Sequence, residues 1–153
     1  MNPLMVHKHL LIRAEVNSPP LYNYSSDQLT NEIKRLINKI DMNILSGPHT
    51  AYSNVVGNEG WSSTAIIDTS SITFHSWIET SIIQLDVYSC KDFKIKDVFL
   101  WLAQFDIEKL DYKYIDREHK FKTLSDNELN HWNNQQYNLK VKDGFNIEEH
   151  LYD

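Results

Sequence analysis

A single cysteine, Cys90, among 153 residues rules out an internal disulfide and favours a reducing compartment. Glycine is scarce, with four residues, so collagenous and low-complexity architectures are excluded. Positive charge is not in excess: 15 Lys and Arg stand against 21 Asp and Glu, a net −6 with neutral histidine. No basic footprint therefore argues for nucleic acid or an anionic membrane surface, and an acidic surface better tolerates a cationic small molecule. No apolar run reaches the roughly 18 residues that a bilayer span requires. The opening stretch is interrupted by His7, Lys8, His9 and Arg13 before any signal-type core forms, so neither export nor membrane insertion is expected and a cytoplasmic location is. What is present, 41% hydrophobic and 24% charged residues, suits one compact domain that buries roughly 70% of its unfolded surface.

Residues 9–16 are short and β-leaning and stop at Asn17-Ser18-Pro19-Pro20, which predicts a first strand and then a loop. Ser25 followed by Gln28 makes a capping box, after which Leu29, Ile33, Leu36, Ile37 and Ile40 recur at helical spacing. Residues 42–53 read as extended with a turn at Gly47-Pro48, and 55–60 as a loop whose glycines lack the spacing of a phosphate cradle. From Trp61 to Cys90 β-branched and aromatic residues dominate, predicting two or three consecutive strands. Asp92 is the expected cap of a second helix carrying Ile95, Val98, Phe99 and Leu102, and Leu110, Tyr112 and Tyr114 alternate as a final strand. The order predicts an α+β two-layer sandwich, a mainly antiparallel sheet with two helices on one face. Residues 1–118 form the expected domain; 119–153, rich in Asn and Gln, form a C-terminal extension without clear periodicity.

Seven histidines include no HExxH or CxxC companion, and no metal is expected, although His7 and His9, two apart, share a face in a strand. A Cys90–His75 nucleophile pair is conceivable from residue types alone. Taken singly, Ser70, Ser71 and Thr73 read as strand hydroxyls, His75 as a hydrogen-bonded core imidazole, Glu79 as a solvated turn acid, and Trp77 and Trp101 as packing.

The joint spacing of Gly60-Trp61-Ser62, of Thr69-Ser70-Ser71-Ile72-Thr73-Phe74-His75-Ser76-Trp77-Ile78-Glu79 and of Asp86-Val87-Tyr88-Ser89-Cys90 reverses that reading for the hydroxyls, His75 and Glu79, and leaves Trp77 and Trp101 as packing residues. The stretch resembles the prokaryotic S-adenosylmethionine decarboxylases, with their G-V-S-G segment, E-S-H-x-x-x-H-T-W-P-E run and D-x-x-x-C strand end, and the spacings agree without gaps. The resemblance reaches from residue 9 to Asp116. It implies that Ser70 becomes a pyruvoyl group: its hydroxyl attacks the Thr69 carbonyl, and β-elimination of the resulting ester leaves a ketoacyl N-terminus and the fragments 1–69 and 70–153. By the same resemblance Ser62 and His75 assist processing, with His75 as base for the Ser70 α-proton. Cys90 returns a proton to the substrate carbon, and Glu79 holds the ribose hydroxyls. A ketone joined to the substrate amine as a Schiff base is the electron sink that loss of carbon dioxide requires.

The implied function is a pyruvoyl-dependent S-adenosylmethionine decarboxylase that supplies the aminopropyl donor for polyamine synthesis, as a homodimer with its sheets packed between helices. Three positions depart from the family pattern: Thr69 stands for Glu, Ser71 for His and Ile78 for Pro. The alternatives are a decarboxylase of ornithine or arginine on the same fold, and a noncatalytic relative that binds a nucleoside or regulates a partner. Glu79, which suits a ribose, favours the nucleoside substrate.

Overall fold

The computed structural model describes residues 6–17, 23–118, 122–125 and 127. Strand β1 (Lys8–Val16) alternates buried and less buried positions along its length, the period of a half-covered sheet. Helix α1 (Ser26–Lys39) starts at the expected capping box. The Ser25 hydroxyl accepts the Gln28 amide at 3.2 Å and the Gln28 side chain accepts the Ser25 amide at 2.7 Å, a cap contributing about 1 kcal/mol. Leu29, Ile33, Leu36 and Ile37 then share one buried face.

Strands β2 (Ile44–Ser53), β3 (Gly60–Ile67), β4 (Ser70–Trp77) and β5 (Ile82–Ser89) follow as consecutive antiparallel hairpins. The expected turn at Gly47-Pro48 is a correction: β2 runs through it, with register shifts between Ile44 and His49 and a cis peptide at Gly47–Pro48. The stretch from Trp61 to Cys90 holds parts of three strands, the upper of the two numbers expected. Helix α2 (Ile95–Leu102) buries Ile95, Val98, Phe99, Trp101 and Leu102. Asp92 does not cap it: Lys94 is the N-cap residue and makes no side-chain bond. Asp92 Oδ1 is instead occupied by Lys8 Nζ at 3.2 Å and the Phe93 amide at 3.1 Å. After a short 3₁₀ turn, Ala103–Phe105, comes β6 (Ile107–Asp116). A two-residue β7 (Lys122–Thr123), not read from the sequence, pairs with β6, and Leu124 beyond it is buried. Of the extension expected over 119–153, residues 122–125 and 127 are described, and the rest lies outside the described residues.

The seven strands among the described residues form one antiparallel sheet in the order β2-β3-β4-β5-β1-β6-β7. Leu10, Ile12, Ala14, Ala65, Ile67, Ile72, Phe74, Leu85 and Val87 point from one face into a core shared with both helices, which is the two-layer α+β arrangement expected. Trp101 crosses this layer at 5.9 Å from the Phe74 ring and donates its indole N–H to the Glu32 carbonyl at 3.0 Å, tying α2 to α1. Truncating a fully buried member such as Leu36 to alanine costs 2–5 kcal/mol on the usual scale. Among the described residues no helix is long and apolar enough to cross a membrane.

The opposite face of the sheet carries the odd-numbered positions of β1 and β4. Register lines Ser71, Tyr88 and His9 in one row across β4, β5 and β1, and His75, Gln84 and Arg13 in another. No described helix covers this face, because both helices contribute to the core on the other side.

Candidate active site

Two clusters occupy opposite ends of β4. The first forms at the two-residue turn Asp68–Thr69, where Ile67 and Ser70 close the β3–β4 ladder. Ser70 points to the helix-covered face and is 5% exposed. Its hydroxyl donates to the Asp68 carbonyl at 3.0 Å and accepts the Cys90 amide at 3.0 Å, so the oxygen is fixed on two sides. Cys90, just past the end of β5, brings its thiol to 3.2 Å from the Asp68 carbonyl, 3.6 Å from Ser70 Oγ and 3.6 Å from Thr69 Oγ1. The Cys90 carbonyl accepts the Val6 amide at 3.2 Å. Thr69 itself sits at φ +51°, a left-handed conformation uncommon for a β-branched residue. Thr69, Ser70 and Cys90 are thus brought into one contact set.

The second cluster lies toward the other end of the strand and on the open face. Ser62 in β3 is the direct partner of His75 in β4, and Ser62 Oγ meets His75 Nδ1 at 2.7 Å. Glu79, in the turn after β4, is exposed. Its carboxylate accepts the Gly57 amide at 2.8 and 3.1 Å and the Glu59 amide at 3.4 Å, holding the β2–β3 loop. Gly60 makes the approach of the two strands possible, since a Cβ there would stand 1.8 Å from the Ser76 carbonyl oxygen.

Within one chain these clusters do not meet. Five positions of extended strand, roughly 17 Å at about 3.4 Å each, separate Ser70 from His75, and their side chains leave opposite faces. The role expected of His75 at Ser70 therefore has no geometry inside a single chain. Between the ends, the open face holds a hollow of about 480 Å³ lined by Arg13, His75, Gln84, Asp86, Asp111 and Lys113 among others.

Sequence reasoning passed over several groups beside the first cluster. Lys8 is 1% exposed and ion-pairs with the half-exposed Asp92 at 3.2 Å, anchoring the segment that follows Cys90. Burial holds Lys8 below its ordinary value of 10.5 against the opposing pull of Asp92. Burial likewise raises Tyr114 well above 10.0, reinforced by Asp92 and Asp116. On the open face the Tyr88 hydroxyl meets His7 Nδ1 at 2.9 Å, and the Arg117 guanidinium lies 4.2 Å above the Tyr88 ring. None of these carries a motif; only the strand register, unavailable from spacing within one strand, brings them together. Among the described residues no group of three His, Cys, Asp or Glu converges as a metal site.

Compared with protein-family models, the chain matches the one described as S-adenosylmethionine decarboxylase over residues 14–118, a span that holds both clusters. No curated protein matches the chain.

Proposed function

The chain belongs to the S-adenosylmethionine decarboxylase family, and from that membership we propose that it is a self-cleaving, pyruvoyl-dependent decarboxylase acting on S-adenosylmethionine. The product is the aminopropyl donor of polyamine synthesis, and the expected setting is the cytoplasm. The observation that carries this reading is the Ser70 hydroxyl, held between the Asp68 carbonyl and the Cys90 amide on a left-handed turn with the Cys90 thiol in contact.

Self-cleavage begins when Ser70 Oγ bonds to the Thr69 carbonyl carbon and the Thr69–Ser70 C–N bond breaks, the hydroxyl proton passing to the Ser70 nitrogen. A base then removes the Ser70 α-proton and the Thr69 carboxylate leaves from Cβ. Water finally replaces the nitrogen, which departs as ammonia, and a ketone remains at residue 70. The residues fit this group: the serine is small, buried and oriented, and the adjacent thiol is suited to hand a proton to a carbon. When formed, the ketone supplies an electron sink for the carbanion left by loss of carbon dioxide.

A second copy of the chain completes the site in this reading. A two-fold axis lying between facing sheets and perpendicular to their strands reverses one sheet end for end. The Ser70 and Cys90 end of one protomer then faces the Ser62, His75 and Glu79 end of its partner. Ser70 opens β4 beside the Asp68–Thr69 turn, so it lies at the sheet end that the partner's opposite end faces. The homodimer thus gives His75 access to the proton it is assigned, and brings Glu79 to the same site as a ribose acceptor.

Release of labelled carbon dioxide from carboxyl-labelled S-adenosylmethionine, ornithine and arginine tests the assignment. The nucleoside substrate alone is expected to react, and Glu79→Gln is expected to weaken its binding about ten- to a hundredfold, the loss of a charge-assisted hydrogen-bond pair. Release from ornithine or arginine instead would move the substrate to a simple amino acid. Release from none, with nucleoside binding retained, would make the chain a noncatalytic member.

A further inference from the structure

The turn that carries the scissile bond is clamped by a contact that the acyl shift itself does not require. Asp68 is tied to Asn43 twice: its amide donates to the Asn43 carbonyl at 3.2 Å, and its Oδ2 accepts the Asn43 amide at 2.8 Å. On the other side Ser70 is fixed by the ladder with Ile67 and by the Cys90 amide. Thr69, between these two anchors, is held at φ +51°. A β-branched residue stays in that region only where its surroundings over-determine it.

We propose that Asp68 is a positioning residue for self-cleavage, whose pair of hydrogen bonds to Asn43 holds Thr69 left-handed and sets the Asp68 carbonyl against the Ser70 hydroxyl. That carbonyl takes the hydroxyl proton and the thiol proton in hydrogen bonds. With the Cys90 amide on one lone pair of Ser70 Oγ, the other remains for the Thr69 carbonyl carbon. The left-handed φ belongs to the residue just before the cut bond, and it is freed when the ester opens, because residue 69 then becomes a free C-terminus. No oxidant or co-reactant enters. The inference rests on the self-cleavage reading and adds to it the residue that prepares the bond.

A time course of cutting in cell-free translation, read on a denaturing gel, tests it. Asp68→Ala is expected to cut about tenfold more slowly, the rate equivalent of ~1.4 kcal/mol. Asp68→Asn is expected to cut near the parent rate, since its amide oxygen accepts the same Asn43 N–H. Thr69→Gly, which adopts positive φ without strain, is expected to be slowed similarly, and the double variant Asp68→Ala/Thr69→Gly to be no slower than the slower single one. In a Ser70→Ala background, Thr69→Gly is expected not to lower the thermal midpoint, which separates slow cutting from loss of fold. A parent that cuts while Asp68→Ala or Thr69→Gly cuts equally fast overturns the inference alone. Multiplying effects in the double variant overturn it as well, making Asp68 merely structural. An uncut parent overturns the self-cleavage reading and this inference with it.

Discussion

Chains disabled at opposite ends of β4 are expected to repair one another. A Ser70→Ala chain keeps the Ser62–His75 pair, and a His75→Ala chain keeps Ser70 with its Asp68 and Cys90 contacts. The roughly 17 Å of strand between the two ends and their opposite faces prevent one chain from using both on itself. Random pairing of equal amounts makes about half of the dimers mixed, and each mixed dimer contains one complete site of two, so about a quarter of all sites are complete. Only the His75→Ala chain retains a nucleophile, so about half of its copies are expected to be cut and none of the Ser70→Ala copies. Expressed alone, His75→Ala is expected to cut some 10²–10⁴-fold more slowly, the usual loss on removing a general base. Co-expression with two distinguishable tags, followed by intact mass measurement, reads both fractions. Absence of cutting in the mixture, with both variants folded and dimeric, would refute the shared site. Parent-rate cutting by His75→Ala alone would refute the base role.

Further outcomes follow from single residues. Cys90→Ala, counted per processed chain, is expected to lower kcat by about 10²–10⁴-fold with KM little changed, because the thiol acts after binding; parent-rate turnover would make Cys90 a packing residue. Lys8 has a folded value below its ordinary 10.5, so between the two values the unfolded chain binds more protons and stability rises with pH. Lys8→Met is expected to flatten that rise in urea midpoints measured up to about pH 10.5 and to match or exceed the parent near neutrality, since half-exposed Asp92 stays hydrated. Gly60→Ala, whose Cβ meets the Ser76 carbonyl carbon at 2.7 Å as well as its oxygen, is expected to cost about 1–3 kcal/mol in urea unfolding.

Local signals made much of the fold legible. The Ser25–Gln28 box and the spacing of Leu29, Ile33, Leu36 and Ile37 mark α1 because both are interactions within a few residues. Asp92 misled for the opposite reason: a free aspartate before a helix caps it, but this one is claimed by Lys8, 84 positions away. Strand β2 misled where Gly47-Pro48, a turn signal in isolation, is carried along the β3 ladder with shifted register. The candidate site was legible as a set of residue types at fixed spacing, whereas its division into two ends went unread. Alternation along β4 would have put Ser70 and His75 on opposite faces from their numbers alone, five apart. Asp68 and Asn43 carried no motif, since their bond joins the start of one strand to the turn of another hairpin.

The mass of the purified protein under denaturing conditions tests the central claim most directly. The account predicts two fragments, 1–69 and 70–153, the second lighter by one ammonia than a serine-ended chain, blocked to N-terminal sequencing and reactive toward a carbonyl-specific hydrazine. Ser70→Ala is predicted to give one intact chain of unchanged fold. A parent protein that stays full length after prolonged incubation, folded and dimeric, would contradict it.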